Sequence, residues 1–245
     1  MACKEKIGIL GLLLLTIGLC AFSPVQNSIN NQILTYTVDT KTQDLKFYWK
    51  DDTSMILKSI QNLKNYVESK DSTLIFAMNG GMFNKNFFPH GLFIQNKNTL
   101  SALDTTDGNG NFYLKPNGVF YITTDNIPFI CNTTDFVNHG EIKYATQSGP
   151  MLIINGQIHS AFKEDSKNLN IRNGVGILPD NKVVFAMSKE EINFYDFAKY
   201  FQSLGCKNAL YLDGFVSRTY LPEQNWMQTG GNFGVIIGVT EKNNQ

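Results

Sequence analysis

"TLIFAMNGGMFNKNFFPHGLF", residues 73–93, is the passage on which the reading of this chain turns. It opens on an apolar run, the pattern of a strand buried on both faces. Asn79-Gly80-Gly81 then ends the run as a turn, and Phe83, Phe87, Phe88, a proline and His90 follow at once. Glycines alone fit a turn. Glycines with an asparagine and a cluster of aromatics at a strand mouth fit a binding pocket.

Outward from that strand the chain is written mostly in short apolar pieces. "QILTYTV" and "LKFYW" read as strands, being rich in β-branched and aromatic residues. "SMILKSIQNLKNYVESK" places Ile56, Leu57, Ile60, Leu63 and Val67 at helical spacing behind Ser54 as cap. "GLFIQ", "NFYL", "GVFYIT" and "IPFI" read as short strands separated by Asn, Gly and Pro. "GPMLIING" and "GVGILPDNKVVFAM" read as hairpin pieces, the second turning at Pro179, Asp180 and Asn181. Phe194, Phe197, Ala198, Phe201 and Leu204 mark an amphipathic helix, and "NALYLDG" and "FGVIIGV" supply two late buried strands. The fold class expected is α+β: one domain over residues 24–245, with a mixed, strand-rich sheet and a few flanking helices.

Of the 245 residues 42% are hydrophobic, enough for one substantial core. The 21 basic and 21 acidic side chains cancel, and no lysine or arginine stripe runs along any segment. That excludes the electrostatic footprint of a nucleic-acid binder. At the start, Lys4 and Lys6 precede "IGILGLLLLTIGLCAF", an apolar run of signal-peptide length with small residues at its end. Residues 1–23 therefore read as a signal peptide or lipoprotein-type targeting segment, with Cys20 as the lipid acceptor in the second case and an uncleaved anchor as a third. The expected location is outside the cytoplasm: periplasmic, attached to the cell envelope, or secreted. Membrane contact is expected only through that segment. Cys131 and Cys206 remain in the mature chain, where export permits a disulfide between them.

The chemistry-bearing residues sit at the ends of the apolar runs. Asn79-Gly80-Gly81 follows one, Asp213-Gly214 follows another, and "ATQSGPM" and "NIRNGVGIL" lie between them. Loops at a sheet edge are where such folds gather ligands, and glycine-rich backbone offers N–H groups to anions. Competing motifs are poorer. "GNG" at 108–110 lacks the spacing of a dinucleotide or phosphate loop. "DGNGN" starts like a calcium loop but has Phe112 at the sixth position and Gly118 at the twelfth. Ser148 precedes Gly-Pro instead of sitting in a nucleophile elbow.

Taken together, "NGGMF", "LKPNGVFYI", "ATQSGPMLIINGQIH", "IRNGVGIL", "INFYDFAKYFQSLGCKNALYLDG" and "SRTYLPE" resemble the phosphodiester glycosidase family. That family includes the animal uncovering enzyme, N-acetylglucosamine-1-phosphodiester α-N-acetylglucosaminidase, and its bacterial exported branch is the nearer match. The resemblance covers about residues 33–240. One departure is local: where the family often has Leu-Asp-Gly-Gly, this chain has Asp213-Gly214-Phe215, a bulkier loop.

What the resemblance implies is an exported hydrolase acting on a sugar-1-phosphodiester, small or part of a glycan, without a cofactor. Asp213 is the implied carboxylate, as nucleophile or base, and Arg172 the planar fork for phosphate. Asn79 with the Gly80 and Gly81 amides is placed at sugar hydroxyls or the departing oxyanion. Gln147, Ser148 and Asn173 orient the substrate; His90, Lys115, Asn117 and Gly214 line the same mouth, with Phe83 and Phe88 as a stacking wall. Two other classes stay open: a non-catalytic module binding glycans or envelope phosphodiesters, and a metal-assisted phosphodiesterase with Asp213 among the ligands. Convergence of Asn79, Ser148, Arg172 and Asp213 on one pocket is the central expectation.

Overall fold

The computed structural model describes residues 31–213 and 216–243; the targeting segment expected at 1–23 and Gly214 lie outside them. The first half folds into β1 (Ile33–Val38), β2 (Asp44–Tyr48), helix α1 (Ile60–Glu68), β3 (Ser72–Gly81), β4 (Phe93–Gln95) and β5 (Asn98–Ser101). Then come β6 (Gly118–Thr123), β7 (Pro128–Asn132), β8 (Ile142–Ser148), β9 (Met151–Ile154) and β10 (Gln157–Ile158). The last third holds β11 (Asn173–Ile177), β12 (Val183–Ser188), helix α2 (Phe194–Ser203), β13 (Ala209–Tyr211), β14 (Thr219–Leu221), β15 (Trp226–Met227) and β16 (Val235–Lys242).

The α+β class and the strand-rich single domain are as expected, but the strands are shared among three sheets, and every pairing among the described strands is antiparallel. The first sheet runs β1-β12-β11-β13-β9-β10, the second β15-β14-β3-β16-β2, and the third β5-β4-β8-β6-β7. Parallel pairing needs long crossover connections, usually helical. Here β4 and β5, β8 and β9, and β9 and β10 are each joined by only two residues.

Alternating side chains from all three sheets meet in one core. Phe47, Phe76, Met78, Phe93, Phe120, Phe185 and Ile237 are each at most 1% exposed there. Its centre is aromatic: Phe76 lies 4.6 Å from Tyr36 and 5.2 Å from Phe185, ring centre to ring centre. Helices cover two outer faces. Ile60, Leu63 and Val67 of α1 pack on Leu74, Ala77 and Ile236 of the second sheet. Phe197 and Phe201 of α2 pack on Leu152, Val184 and Ala186 of the first.

Four local readings change. The helix expected from Ser54 begins at Ile60 instead, and Ser59 caps it by accepting a hydrogen bond from the Asn62 N–H at 3.1 Å. Ser54 sits in a left-handed turn at φ 68°, outside the helix. "NFYL" forms a 3-10 turn at Asn111–Tyr113 instead of a strand. Asn79-Gly80-Gly81 is no turn: β3 continues through it, paired with β16 at Ile236↔Asn79 and Val235↔Gly81. The glycines there serve close approach. A Cβ on Gly81 would stand 2.5 Å from Thr146 Oγ1 of the third sheet, and one on Gly80 2.4 Å from Ile237 Cγ1. Lastly, Cys131 and Cys206 are free thiols. Cys131 lies half-buried on β7, while Cys206 is buried under α2, where burial pushes its thiol up to about 12.

The cap assignment is checked by two variants. Ser59→Ala should lower the unfolding free energy in urea by about 1 kcal/mol, the usual worth of such a cap. Ser54→Gly should leave it unchanged or slightly raised, because glycine enters a positive-φ position without steric cost.

Candidate active site

The site is built where the three sheets meet. Asn79 stands near the end of β3, Asn173 opens β11, and Asp213 follows two residues after β13 ends. Both asparagines are fully buried, and Asp213 is 6% exposed. A buried amide must find its partners inside the protein. Asn173 Nδ2 donates to the Asn79 carbonyl at 2.9 Å and to Asn79 Oδ1 at 3.0 Å. Asn173 Oδ1 accepts from the Asp213 N–H at 2.9 Å. Asn79 Nδ2 in turn donates to Asp213 Oδ2 at 3.2 Å. The three residues thus close a ring, and the carboxylate is aimed by an amide whose own orientation is fixed.

The segment after Asp213 tightens this ring. The Arg218 N–H donates to Asn79 Oδ1 at 2.8 Å, and Ser217 Oγ donates to the Asp213 carbonyl at 2.8 Å. Ser148, at the end of β8, adds the third sheet: its buried Oγ donates to the Leu212 carbonyl at 2.6 Å. Tyr211 stands beneath as a neutral phenol, pushed up to about 12 mainly by burial, with the Asp213 charge adding to the rise and Arg172 opposing it.

Arg172 is placed otherwise than as a phosphate fork. Its guanidinium carbon lies 3.6 Å from the centre of the Phe194 ring. Nε donates to the Ile192 carbonyl at 2.8 Å, Nη2 to the Asn168 carbonyl at 2.8 Å, and Nη1 approaches the Tyr211 hydroxyl at 3.4 Å. Burial lowers its pKa from the ordinary arginine value. The side chain is 1% exposed and pins the loop before β11 onto α2, which holds the neighbouring Asn173 in register.

The remaining expected residues divide. Gly80 and Gly81 are in the strand beside the ring. Gln147 is buried and saturated: Oε1 accepts from the Leu92 and Asp104 N–H groups, and Nε2 donates to the Asp104 carbonyl and to Thr133 Oγ1. Asn117 is buried and donates to the Phe112 carbonyl at 2.9 Å. Lys115 faces Asp107 on the surface. His90 contacts the Tyr113 hydroxyl at 2.9 Å and lies 3.6 Å from Asp104. These four side chains hold the loops around the third sheet. Of the aromatics, Phe83 stacks on Phe87, and Phe88 packs edge-on against Trp49. Among the described residues no three His, Cys, Asp or Glu side chains gather as a metal-binding set.

Ser217 and Arg218 are the site residues that the sequence reading passed over. A hydroxyl and a cation within five positions of a strand-end aspartate were the available signal. Arg172→Lys checks the structural reading of Arg172. A lysine keeps the charge but loses the fork and the ring stacking, so chemical denaturation should show a loss of about 3 kcal/mol.

Comparison with known proteins identifies the family. The phosphodiester glycosidase family pattern matches residues 72–240, which include every member of the ring. The uncharacterized protein YigE of Escherichia coli K12 is 36% identical over 190 residues, covering 77% of this chain and 74% of that one. Two solved structures share the fold at low identity. One is a hypothetical protein from Synechocystis, with TM-score 0.55 and 14% identity. It matches 85% of this chain, which spans only 59% of that longer protein. The other, from Burkholderia pseudomallei K96243, has TM-score 0.55 and 9% identity over 84% of this chain and 73% of its own. On the extent of the family match and the identity to YigE, this chain belongs to the phosphodiester glycosidase family.

Proposed function

We propose that the chain hydrolyses the glycosidic bond of a sugar-1-phosphodiester, with Asp213 as the reacting carboxylate. The observation that carries this reading is the carboxylate itself: 6% exposed, and aimed by Asn79, which Asn173 locks from behind. Family membership supplies the reaction class.

In the reaction the bond between the anomeric carbon and the phosphate oxygen breaks, and its electron pair leaves with the phosphate monoester. The second ionisation of such a monoester lies near 6, so the leaving oxygen needs little help from an acid. The pair of carboxylates found in most glycosidases then reduces to one. Asp213 acts by one of two routes. As base, it takes a proton from water while the water oxygen bonds to the anomeric carbon. As nucleophile, it bonds to that carbon itself, and water releases the sugar in a second step. The products are the same, a free sugar and a phosphate monoester; the anomeric configuration of the sugar released distinguishes inversion from retention.

Asn79 and Asn173 are positioning residues in this scheme, and Ser217 fixes the backbone from which the carboxylate projects. The substrate class, a diester on a sugar, suits a protein working outside the cytoplasm, which is where Lys4, Lys6 and the apolar run behind them direct our reading.

The test is a screen of the purified chain against sugar-1-phosphodiesters, with Asp213→Asn alongside. Asparagine keeps the volume and can still accept from Asn79, so the unfolding midpoint should be retained while turnover falls by about 10²-fold or more. An Asp213→Asn protein that turns over normally sinks the assignment. A wild-type protein that binds these diesters without ever cleaving them would make the chain a binding module.

A further inference from the structure

A phosphodiester is an anion throughout the neutral pH range, and in this reading it must come to rest beside a carboxylate. Lysine supplies nearly all the positive charge of this chain: of its 21 basic residues only two are arginines, Arg172 and Arg218. Both arginines adjoin the ring. Arg172 directly precedes Asn173, and the Arg218 N–H is bonded to Asn79 Oδ1.

The two are used differently. Arg172 is buried on Phe194, with its donors turned to the Ile192 and Asn168 carbonyls. Arg218 is exposed. Nη1 of its guanidinium donates to the carbonyl of the preceding residue, Ser217, at 3.2 Å. No other guanidinium donor of Arg218 has a partner, and no carboxylate pairs with it, among the described residues. Two tethers therefore hold this residue at the site. The backbone N–H is fixed to the amide that aims the carboxylate, and Nη1 is fixed to the residue whose hydroxyl braces Asp213. What remains is most of a planar fork on an exposed side chain whose backbone is bonded into the ring.

We infer that Arg218 is the phosphate anchor, the residue that selects a phosphodiester aglycone over a neutral one. This deepens the reading of the chain as a sugar-1-phosphodiester hydrolase and rests on it. A guanidinium suits the task because it grips two phosphate oxygens at once and cannot lose its charge. Arg218 leaves the sugar to the buried ring and takes the charged half of the substrate. The same contact strengthens as the phosphate oxygen gains charge on leaving.

The experiment compares wild type, Arg218→Lys and Arg218→Gln on two substrates of the same sugar: a phenylphospho diester and a p-nitrophenyl glycoside. Arg218→Gln should lower kcat/KM about 10²-fold on the diester and change it less than about 3-fold on the neutral glycoside. Arg218→Lys should fall between the two on the diester. Because the side chain is exposed and the tethering N–H belongs to the backbone, the unfolding midpoint should not move. Equal loss on both substrates, or no loss on the diester, overturns the anchor.

A binding arm separates this from failure of the hydrolase reading. Phenyl phosphate titrated into wild type should bind with a salt-dependent affinity that Arg218→Gln abolishes. If wild type cleaves no diester, the hydrolase assignment falls; if phenyl phosphate binds both proteins equally, or neither, the anchor falls.

Discussion

The structure depends on one constraint: two fully buried asparagine side chains, Asn79 and Asn173, must satisfy each other. An unpaired buried amide group costs about 1–3 kcal/mol, so neither side chain can be moved alone. Here both solve the problem across the seam between sheets. Asn79 belongs to a strand of the second sheet and Asn173 to a strand of the first, and the bonds at 2.9 and 3.0 Å staple the two. The carboxylate of Asp213 and the N–H of Arg218 are then the partners that complete the count. Fold and site are in this sense one arrangement, since the groups that join the sheets also aim the acid.

Glycines beside the stapled asparagines allow close approach on either side of them. A side chain on Gly81 would meet Thr146 of the third sheet at 2.5 Å, and one on Gly174, next to Asn173, would meet the Leu210 carbonyl at 2.9 Å. Their backbone angles are ordinary for strands, so conformational freedom is not the reason for these glycines. Space is. A Cβ at Gly174 would press on backbone and one at Gly81 on the Thr146 hydroxyl, overpacking that cores accommodate poorly.

Much of this was legible in the sequence, and the misses have specific causes. The apolar runs placed most strands, because alternation and turn residues are local signals. The start of α1 was misread because Ile56 and Leu57 continue its apolar spacing, yet they pair back with Lys50 and Trp49 before the helix begins. Asn-Gly-Gly was read as a turn because in isolation it has turn chemistry; only the neighbouring strand, 154 residues further on at Val235, shows why it stays extended. Asn79 and Asp213 were found together because each stands at the end of an apolar run. Arg172 was picked for its charge, but its surroundings, Phe194 and the Ile192 carbonyl, come from α2 and the loop before it. No spacing rule connects those positions to residue 172. Gln147, Asn117 and Lys115 show that polar residues near a strand end also serve to hold loops.

Electrostatics gives the site its remaining logic. A carboxylate and a phosphate monoanion about 6 Å apart repel by about 3 kcal/mol at an effective dielectric of 20. The chain as a whole does nothing to offset this, since its formal net charge is zero and its lysines are scattered. Several of those lysines are engaged with carboxylates of their own, as Lys64 is with Glu68 and Lys182 with Asp180. An anion held beside Asp213 would need its compensation close by. Burial makes that requirement sharper, because a charge 6% exposed is screened little by salt. A ring built from neutral amides and one acid carries no positive charge of its own until a cation is counted with it. The chain's one exposed guanidinium belongs to Arg218, which is bonded through its own backbone N–H to the amide that holds the acid.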